Sequence, residues 1–470
     1  MDNSELIRDI VSRVLERIEH EKPGAVAAAR PNPTSSYLGM SASVDEAVRK
    51  CHTAQQEWMT LKLEQRRTII ERLRERLRSE VEKLSRLAVE ETGLGRYDDK
   101  LAKNRLVIDK TPGIEHLQPT AFSGDHGLTV IERAPYGVIG SITPCTNPTE
   151  TIINNALGMI SGGNGVVFNP HPTAGHVSAY TVGLFNEVIA QNHGPRFLVG
   201  GIEQPTIQSA NDLMKHPLVR LLVVTGGPAV VKAAMNSGKK VIAAGPGNPP
   251  VVVDETADLL RAAKGIIRGA SLDNNIVCIA EKEVFAVASI ADQLKDLMTK
   301  HGAYEVRGEQ LAKLETLVLH EGHPHRDFIG KDALLILSRL GVNAPPTTRL
   351  IIVETKVDHP LVQLEMMMPV LPIVRVRDVD EAIRMAKEAE HGHRHTAGIY
   401  SRNIDAMDKM ARAMNCSIFV KNAPHFAGLG LEGEGYTSFT IASPTGEGLT
   451  TVRDFTRVLR CTLQDYFRFV

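Results

Sequence analysis

Apolar residues recur at helical spacing at the start of the chain, where Leu6, Ile7, Ile10, Val11, Val14, Leu15 and Ile18 alternate with Arg, Asp and Glu. That pattern predicts an amphipathic helix over residues 1–20, with Ser4 or Asn3 at the N-cap. Residues 21–40 break the periodicity, with Pro23, Pro31 and Pro33 among small residues, and predict a flexible linker. A helix on a tether suggests a docking peptide; a helix folded onto its own core, or paired in a dimer, fits the same pattern.

From Val44 to Leu117 the periodicity stays helical and charges of both signs alternate, with Gly93 placed as a stop. This stretch predicts a solvated scaffold. "LTVIER" at Leu128–Arg133 and "YGVIGSITP" ending at Pro144 then predict strands. Beyond them short apolar runs alternate with helical ones, as in "GVVFNPHP", "HVSAYTVGLFNEVIAQ", "VRLLVVTGGPAVVKAAMNSG" and "KVIAAGPGNPPVVVD". Strand, turn and helix in repeated order imply a doubly wound, mostly parallel sheet. The alternation resumes after Asp254, so two α/β lobes are expected, with a cleft close to residue 250.

Composition narrows the class. The 470 residues are 43% hydrophobic and 23% charged with net charge −1, which supplies no field for nucleic acid or an anionic membrane. No run approaches the roughly 20 apolar residues of a membrane span. Five cysteines without CxxC spacing suggest reduced thiols and a cytoplasmic setting.

Several short stretches could carry chemistry. Thr225-Gly226-Gly227 ends an apolar run, with Pro228 at a first helical position, and glycines there admit an anion to backbone N–H groups. A tight structural turn reads equally well. The second glycine-rich entry, "SGGNGVVFNPHP", presents Asn169 and His171 at a strand's carboxyl end, where open α/β sheets bind ligands. "SITPCTNPTE" places Asn147 between two prolines, as an oxyanion donor or a plain Asx turn. Cys278, flanked by Val277 and Ile279, is either a buried small hydrophobe or a nucleophile, and Cys145 is its rival. The histidines of "HGHRH" and "HPH" lack partners at ligand spacing, so no metal is expected. Glu365 in "EMMMPVLP" is a solvated glutamate or a hydroxyl-binding carboxylate.

In this order, Cys278 after its asparagines, the Pro144–Pro148 motif, the Thr-Gly-Gly turn and "EMMMPVLP" resemble the aldehyde dehydrogenase superfamily over residues 40–460. "NNIVCIAEKEV", "AAGPGNPPVVVD" and "SPTGEGLTTVRDF" are similar to its coenzyme A-acylating branch, particularly the propionaldehyde and acetaldehyde dehydrogenases of bacterial microcompartments.

The resemblance implies a cofactor domain at 41–250 with an oligomerisation strand near 121–135, a catalytic domain at 251–430, and a tail at 431–470 that returns to the cofactor domain and joins oligomerisation. It implies that Cys278 attacks the aldehyde and that Asn147 holds the oxyanion. NAD, with NADP not excluded, would lie on Thr143, Pro144, Asn169, His171, Gly226, Gly227, Gly245, Gly247 and Glu365, and Val277 and Ile279 would wall an apolar substrate pocket. Coenzyme A would take the acyl group, because Ala244–Asn248 stands where hydrolytic relatives carry a water-activating glutamate. A hydrolytic semialdehyde dehydrogenase and an inactive shell-associated adaptor are the alternatives. Also implied are a short aldehyde, propanal before acetaldehyde, a homodimer or homotetramer, and docking of residues 1–20 on shell or core proteins of a microcompartment.

Overall fold

The computed structural model describes residues 37–468; the helix read at residues 1–20 and the linker as far as residue 36 lie outside them. A six-stranded parallel sheet runs in the spatial order Met40–Ser41, Val199–Ile202, Gly165–Pro170, Val138–Thr143, Val219–Thr225, Lys240–Ala244. Val138–Thr143 and Gly165–Pro170 are buried at every position, which explains their largely apolar sequence: helices cover both faces of the sheet. The chain leaves Val138–Thr143 toward one edge and returns to pair Val219–Thr225 on its other side. That switch opens a crevice beyond the strands' carboxyl ends, at Thr143-Pro144 and Thr225-Gly226-Gly227.

The second sheet has seven parallel strands, in the order Ala303–Glu305, Leu350–Thr355, Val370–Val376, Glu283–Val287, Pro250–Val253, Thr396–Tyr400, Ile418–Lys421. Residues 245–249 carry the chain from one sheet to the other. Helix Leu259–Ala270 buries Ala262, Ala263, Ile266 and Ile267 against this sheet's core. The connection from that helix to Glu283–Val287 contains Cys278.

A separate antiparallel sheet joins Thr120–Gly124, Gly127–Pro135 and Thr456–Gln464. Phe122, Val458, Leu459 and Leu463 stand exposed on it.

Gly93 ends helix Leu63–Thr92 in the left-handed conformation, φ 64°, as its placement predicts. Sequence patterning passed over Val199–Ile202 and Met40–Ser41. The glycines of "VGGI" weaken strand propensity, yet Gly201 lets Met40 pack close: a Cβ there would lie 2.8 Å from its Sδ.

Candidate active site

Residues 272–282 form a tight connection whose entry is conformationally demanding. Asp273, Asn274 and Asn275 take φ of 48°, 53° and 67° in succession. Asp and Asn tolerate that region better than other side chains, and here the side chains of all three are held by hydrogen bonds, those of Asp273 and Asn274 to distant segments. Asp273 accepts the Arg96 N–H at 2.7 Å, Asn274 donates to the Gly330 carbonyl at 3.0 Å, and Asn275 donates to the carbonyls of Ala270 and Glu281 at 2.7 and 2.9 Å. Consecutive strained residues held by such bonds fix the direction in which the chain leaves them. It leaves through Val277 and Ile279, both buried in the largest hydrophobic cluster, with Cys278 between them and only partly exposed.

Asn147 caps helix Pro148–Ser161, yet its side chain makes no capping bond to that helix. Its Oδ1 instead accepts from the Lys103 Nζ at 2.5 Å. The same ammonium reaches Asp273 Oδ2 at 2.5 Å and lies 3.0 Å from Glu150 Oε1. Lys100 adds a bond to Asp273 Oδ2 at 3.0 Å and another to the Thr146 carbonyl at 3.1 Å. The turn bearing Asn147 and the loop bearing Cys278 therefore share one buried ionic cluster. Here the sequence expectation needs correcting: Lys100 and Lys103 belong to the stretch read as a solvated scaffold, but both are buried. Charge alternation along a helix does not reveal which charges find partners inside.

Burial, and then the carboxylate of Glu365, push the Cys278 thiol up to about 12, against the opposing pull of Lys282 and Lys103. Burial also raises the Glu365 carboxyl, while Lys282 and a bond from the Gly247 backbone draw it down. Burial and Glu365 together thus favour the protonated thiol in this site, with Lys282 and Lys103 opposing them.

Gly247 closes this region from the other sheet. A Cβ on it would lie 3.2 Å from the Cys278 carbonyl oxygen and 3.0 Å from the His395 ring. Asn248 occupies the end of the stretch that lacks a carboxylate, and its Nδ2 is taken by the carbonyls of Val362 and Ala389, both at 2.9 Å. His395, the last histidine of "HGHRH", is buried, with Nδ1 on the Thr396 hydroxyl and Nε2 without a partner. Burial pushes its imidazole down to about 3, so it is neutral. Sequence reasoning weighed that motif only for metal binding; among the described residues no three His, Cys, Asp or Glu side chains converge on a metal position.

At the crevice of the first sheet, Thr143 presents a buried Oγ1 without a partner, and open space surrounds the position a Gly227 Cβ would occupy. Gly226 is crowded instead, a Cβ falling 2.7 Å from Val230. Pro228 opens the helix Pro228–Met235 as its sequence position predicts. An orphan hydroxyl and an unobstructed backbone at a helix N-terminus suit a dinucleotide pyrophosphate. Pro144 follows Thr143 at the strand's end, and Gly245 follows Lys240–Ala244, its Cβ position 2.9 Å from Pro444. His171 is exposed beside them, while Asn169 is buried and accepts from Ser209 Oγ at 2.6 Å. Cys145 is partly buried against Ala88, Ala174 and Val177, and burial raises its thiol. A cavity of about 520 Å³ bounded by Arg74, Lys110, His116 and Tyr436 contains none of the predicted site residues, and carbonyls already occupy its Arg74 and Lys110 side chains.

Two parallel α/β sheets, with a cysteine on a helix-to-strand connection of the second and a nucleotide-type crevice on the first, define a dehydrogenase of the aldehyde type. The model of the aldehyde dehydrogenase family matches residues 32–313 and 339–436, and the chain belongs to that family. It is 47% identical over 475 residues to the acetaldehyde dehydrogenase (acetylating) EutE of Salmonella typhimurium, covering all of both chains. The structure of Rhodopseudomonas palustris propionaldehyde dehydrogenase with bound CoA and an acylated cysteine is similar at TM-score 0.90 and 49% identity, over 91% of this chain and 98% of that one. A propionaldehyde dehydrogenase from the fucose utilisation bacterial microcompartment of Clostridium phytofermentans matches at TM-score 0.90 and 46% identity, over 92% and 99%.

Proposed function

We propose that the chain oxidises a short aliphatic aldehyde to its acyl-coenzyme A, with NAD as hydride acceptor. The observation that carries this reading is the stretch beside Cys278, where Gly247 meets its carbonyl and the Asn248 Nδ2 is held by two backbone carbonyls, so that stretch offers no carboxylate to activate water. An acyl-enzyme there waits for a thiol.

Cys278 Sγ adds to the aldehyde carbon as its thiolate, the thiol proton having passed to solvent. Asn147 Nδ2 and the Cys278 backbone N–H hold the oxyanion, the kind of donor whose removal costs ~10²–10³ in rate. Thr143, Pro144, Asn169, His171, Gly226, Gly227 and Gly245, with Glu365 and Gly247 at the nicotinamide end, would hold NAD, which when bound would supply the hydride acceptor. The collapsed oxyanion leaves a thioester on Cys278. Coenzyme A attacks that carbonyl as its thiolate, its thiol proton having passed to solvent, and the Cys278 thiolate departs. The reverse sequence reduces acyl-coenzyme A.

Relatives named for acetaldehyde and for propionaldehyde stand at similar identity. We take propanal as the preferred substrate over acetaldehyde, with Val277 and Ile279 behind the pocket wall; one methylene separates the two by only ~1–3 kcal/mol. The hydrolytic and inactive-adaptor alternatives are weakened by the missing carboxylate and by the joint placement of Cys278 and Asn147.

The exposed apolar residues of the antiparallel sheet suit a homodimer or homotetramer, and residues 1–20 suit docking to shell or core proteins inside a microcompartment. Removal of residues 1–36 is expected to abolish recruitment without loss of turnover.

The deciding experiment measures NADH from propanal and NAD⁺, with and without coenzyme A, for wild type and Cys278→Ala. Turnover that needs coenzyme A and vanishes in the variant supports the reading. Equal multiple turnover without coenzyme A makes water the acceptor and overturns it.

A further inference from the structure

Lys103 lies on helix Tyr97–Lys110, 1% exposed, and its ammonium faces three oxygens: Asn147 Oδ1 and Asp273 Oδ2 at 2.5 Å each, and Glu150 Oε1 at 3.0 Å. An ammonium has three protons and no acceptor, so each of these partners must present an oxygen. For Glu150 and Asp273 that is no constraint, but for Asn147 it decides which way the carboxamide points. A flipped amide would set its NH₂ group against a buried cation. With Oδ1 held, Nδ2 is directed away from Lys103, and it makes a long bond to Thr146 Oγ1 at 3.3 Å. At least one Nδ2 proton is left for a substrate oxygen.

The same cluster fixes the other half of the site. Asp273 Oδ2 is shared with Lys100, which also holds the carbonyl of Thr146, the residue before Asn147. Asp273 Oδ1 takes the Arg96 N–H, and the space for it exists only because residue 95 is glycine: a Cβ there would fall 2.0 Å from Oδ1. Two lysines and two carboxylates balance one another inside this buried cluster, which offsets the heavy desolvation each charge would suffer alone.

We propose that Lys103 is a positioning residue for the acyl-transfer reaction: it orients the Asn147 carboxamide as a hydrogen-bond donor and ties it to Asp273 at the head of the Cys278 loop, so that donor and nucleophile are held as one unit. The proposal rests on the reading of Asn147 as the oxyanion donor. Lys103 touches neither substrate nor cofactor in this role; it acts through Asn147.

The test is a double-mutant cycle on kcat. Lys103→Met is combined with Glu150→Gln, so that the remaining Lys100 and Asp273 still balance, and this pair is compared with Asn147→Ala and with the triple variant. NADH formation, KM for NAD, and the rate of Cys278 alkylation by iodoacetamide are read for each. We expect the Lys103/Glu150 variant to lose ~10²-fold in kcat, the scale of one oxyanion donor. KM for NAD should stay within about threefold, alkylation should slow far less than kcat falls even though one cation near the thiol is lost, and the triple variant should be no slower than Asn147→Ala. Losses that multiply, a matching fall in alkylation, or wild-type kcat would each overturn the positioning role. Wild-type kcat in Asn147→Ala would instead overturn the oxyanion reading itself, so the two failures are distinguishable. If the charge-balanced variant does not fold, Lys103→Arg carries the same comparison, since a planar guanidinium cannot meet these three oxygens as an ammonium does.

Discussion

The Lys282 ammonium donates to both oxygens of Asn275, the carbonyl at 2.8 Å and Oδ1 at 2.6 Å. Asn275 is the last of the three left-handed residues before Cys278, so this pair fixes the exit of the strained segment. Lys282→Met would leave two buried acceptors without a donor, at roughly 1–3 kcal/mol each. It would also remove a cation that lowers the pKa of the Cys278 thiol. Melting several degrees lower and slower alkylation of Cys278 are expected. An unchanged melting temperature would mean the loop is held without Lys282.

Glu365 opposes ionisation of the nucleophile. Burial is the larger cause of the raised Cys278 thiol and the Glu365 carboxylate the next. Glu365→Gln removes the second cause, so the thiol should ionise more readily, and a fall of one pKa unit means about tenfold more thiolate at a given pH. Iodoacetamide should therefore inactivate the variant several-fold faster at pH 8, even as KM for NAD rises. Equal or slower inactivation would show that the carboxylate does not act on the thiol.

The sequence makes the sheets more legible than the ionic cluster. Continuous apolar runs such as Val219–Thr225 announce buried parallel strands, and Gly93 and Pro228 mark helix ends through local conformational preference alone. Cys278 and Asn147 could be singled out in the sequence because order and flanking prolines and asparagines are local features. Lys103 was not, since its partners lie 44 and 170 residues away, at Asn147 and Asp273, and a lysine on a charged helix carries no local sign of burial. The burial of His395 was hidden in the same way: its neighbouring histidines were weighed, and set aside, only as metal ligands, whereas burial beside Gly247 is a tertiary fact.

Cys145, three residues after Ile142 and close in sequence to Asn147, is a packing residue. Its neighbours Ala88, Ala174 and Val177 are small and apolar, and burial raises its thiol. Cys145→Ala should keep coenzyme A-dependent turnover within about twofold and cost roughly 1 kcal/mol or less in stability, as small deletions from a core do. Loss of the acyl-enzyme signal in Cys145→Ala, with Cys278 intact, would reassign the nucleophile.

Glu281 should set an alkaline limit on stability. Its carboxyl is fully buried, with one oxygen accepting the His425 N–H at 2.9 Å and Oε2 unpartnered, and burial raises its pKa to about 8. In the unfolded chain a glutamate titrates near ~4.3. Between those values the folded state keeps a proton that the unfolded state has released, so stability falls as pH rises, by up to roughly 1.4 kcal/mol per pH unit. The loss is complete once pH passes the folded value. Glu283, also buried and raised, adds the same sign, so removing one carboxyl should reduce the slope without abolishing it. Glu281→Gln keeps the acceptor for His425 and has no charge to lose. Its melting temperature should decline less than wild type between pH 6 and pH 8, and parallel declines would mean that Glu281 is already ionised in the folded protein.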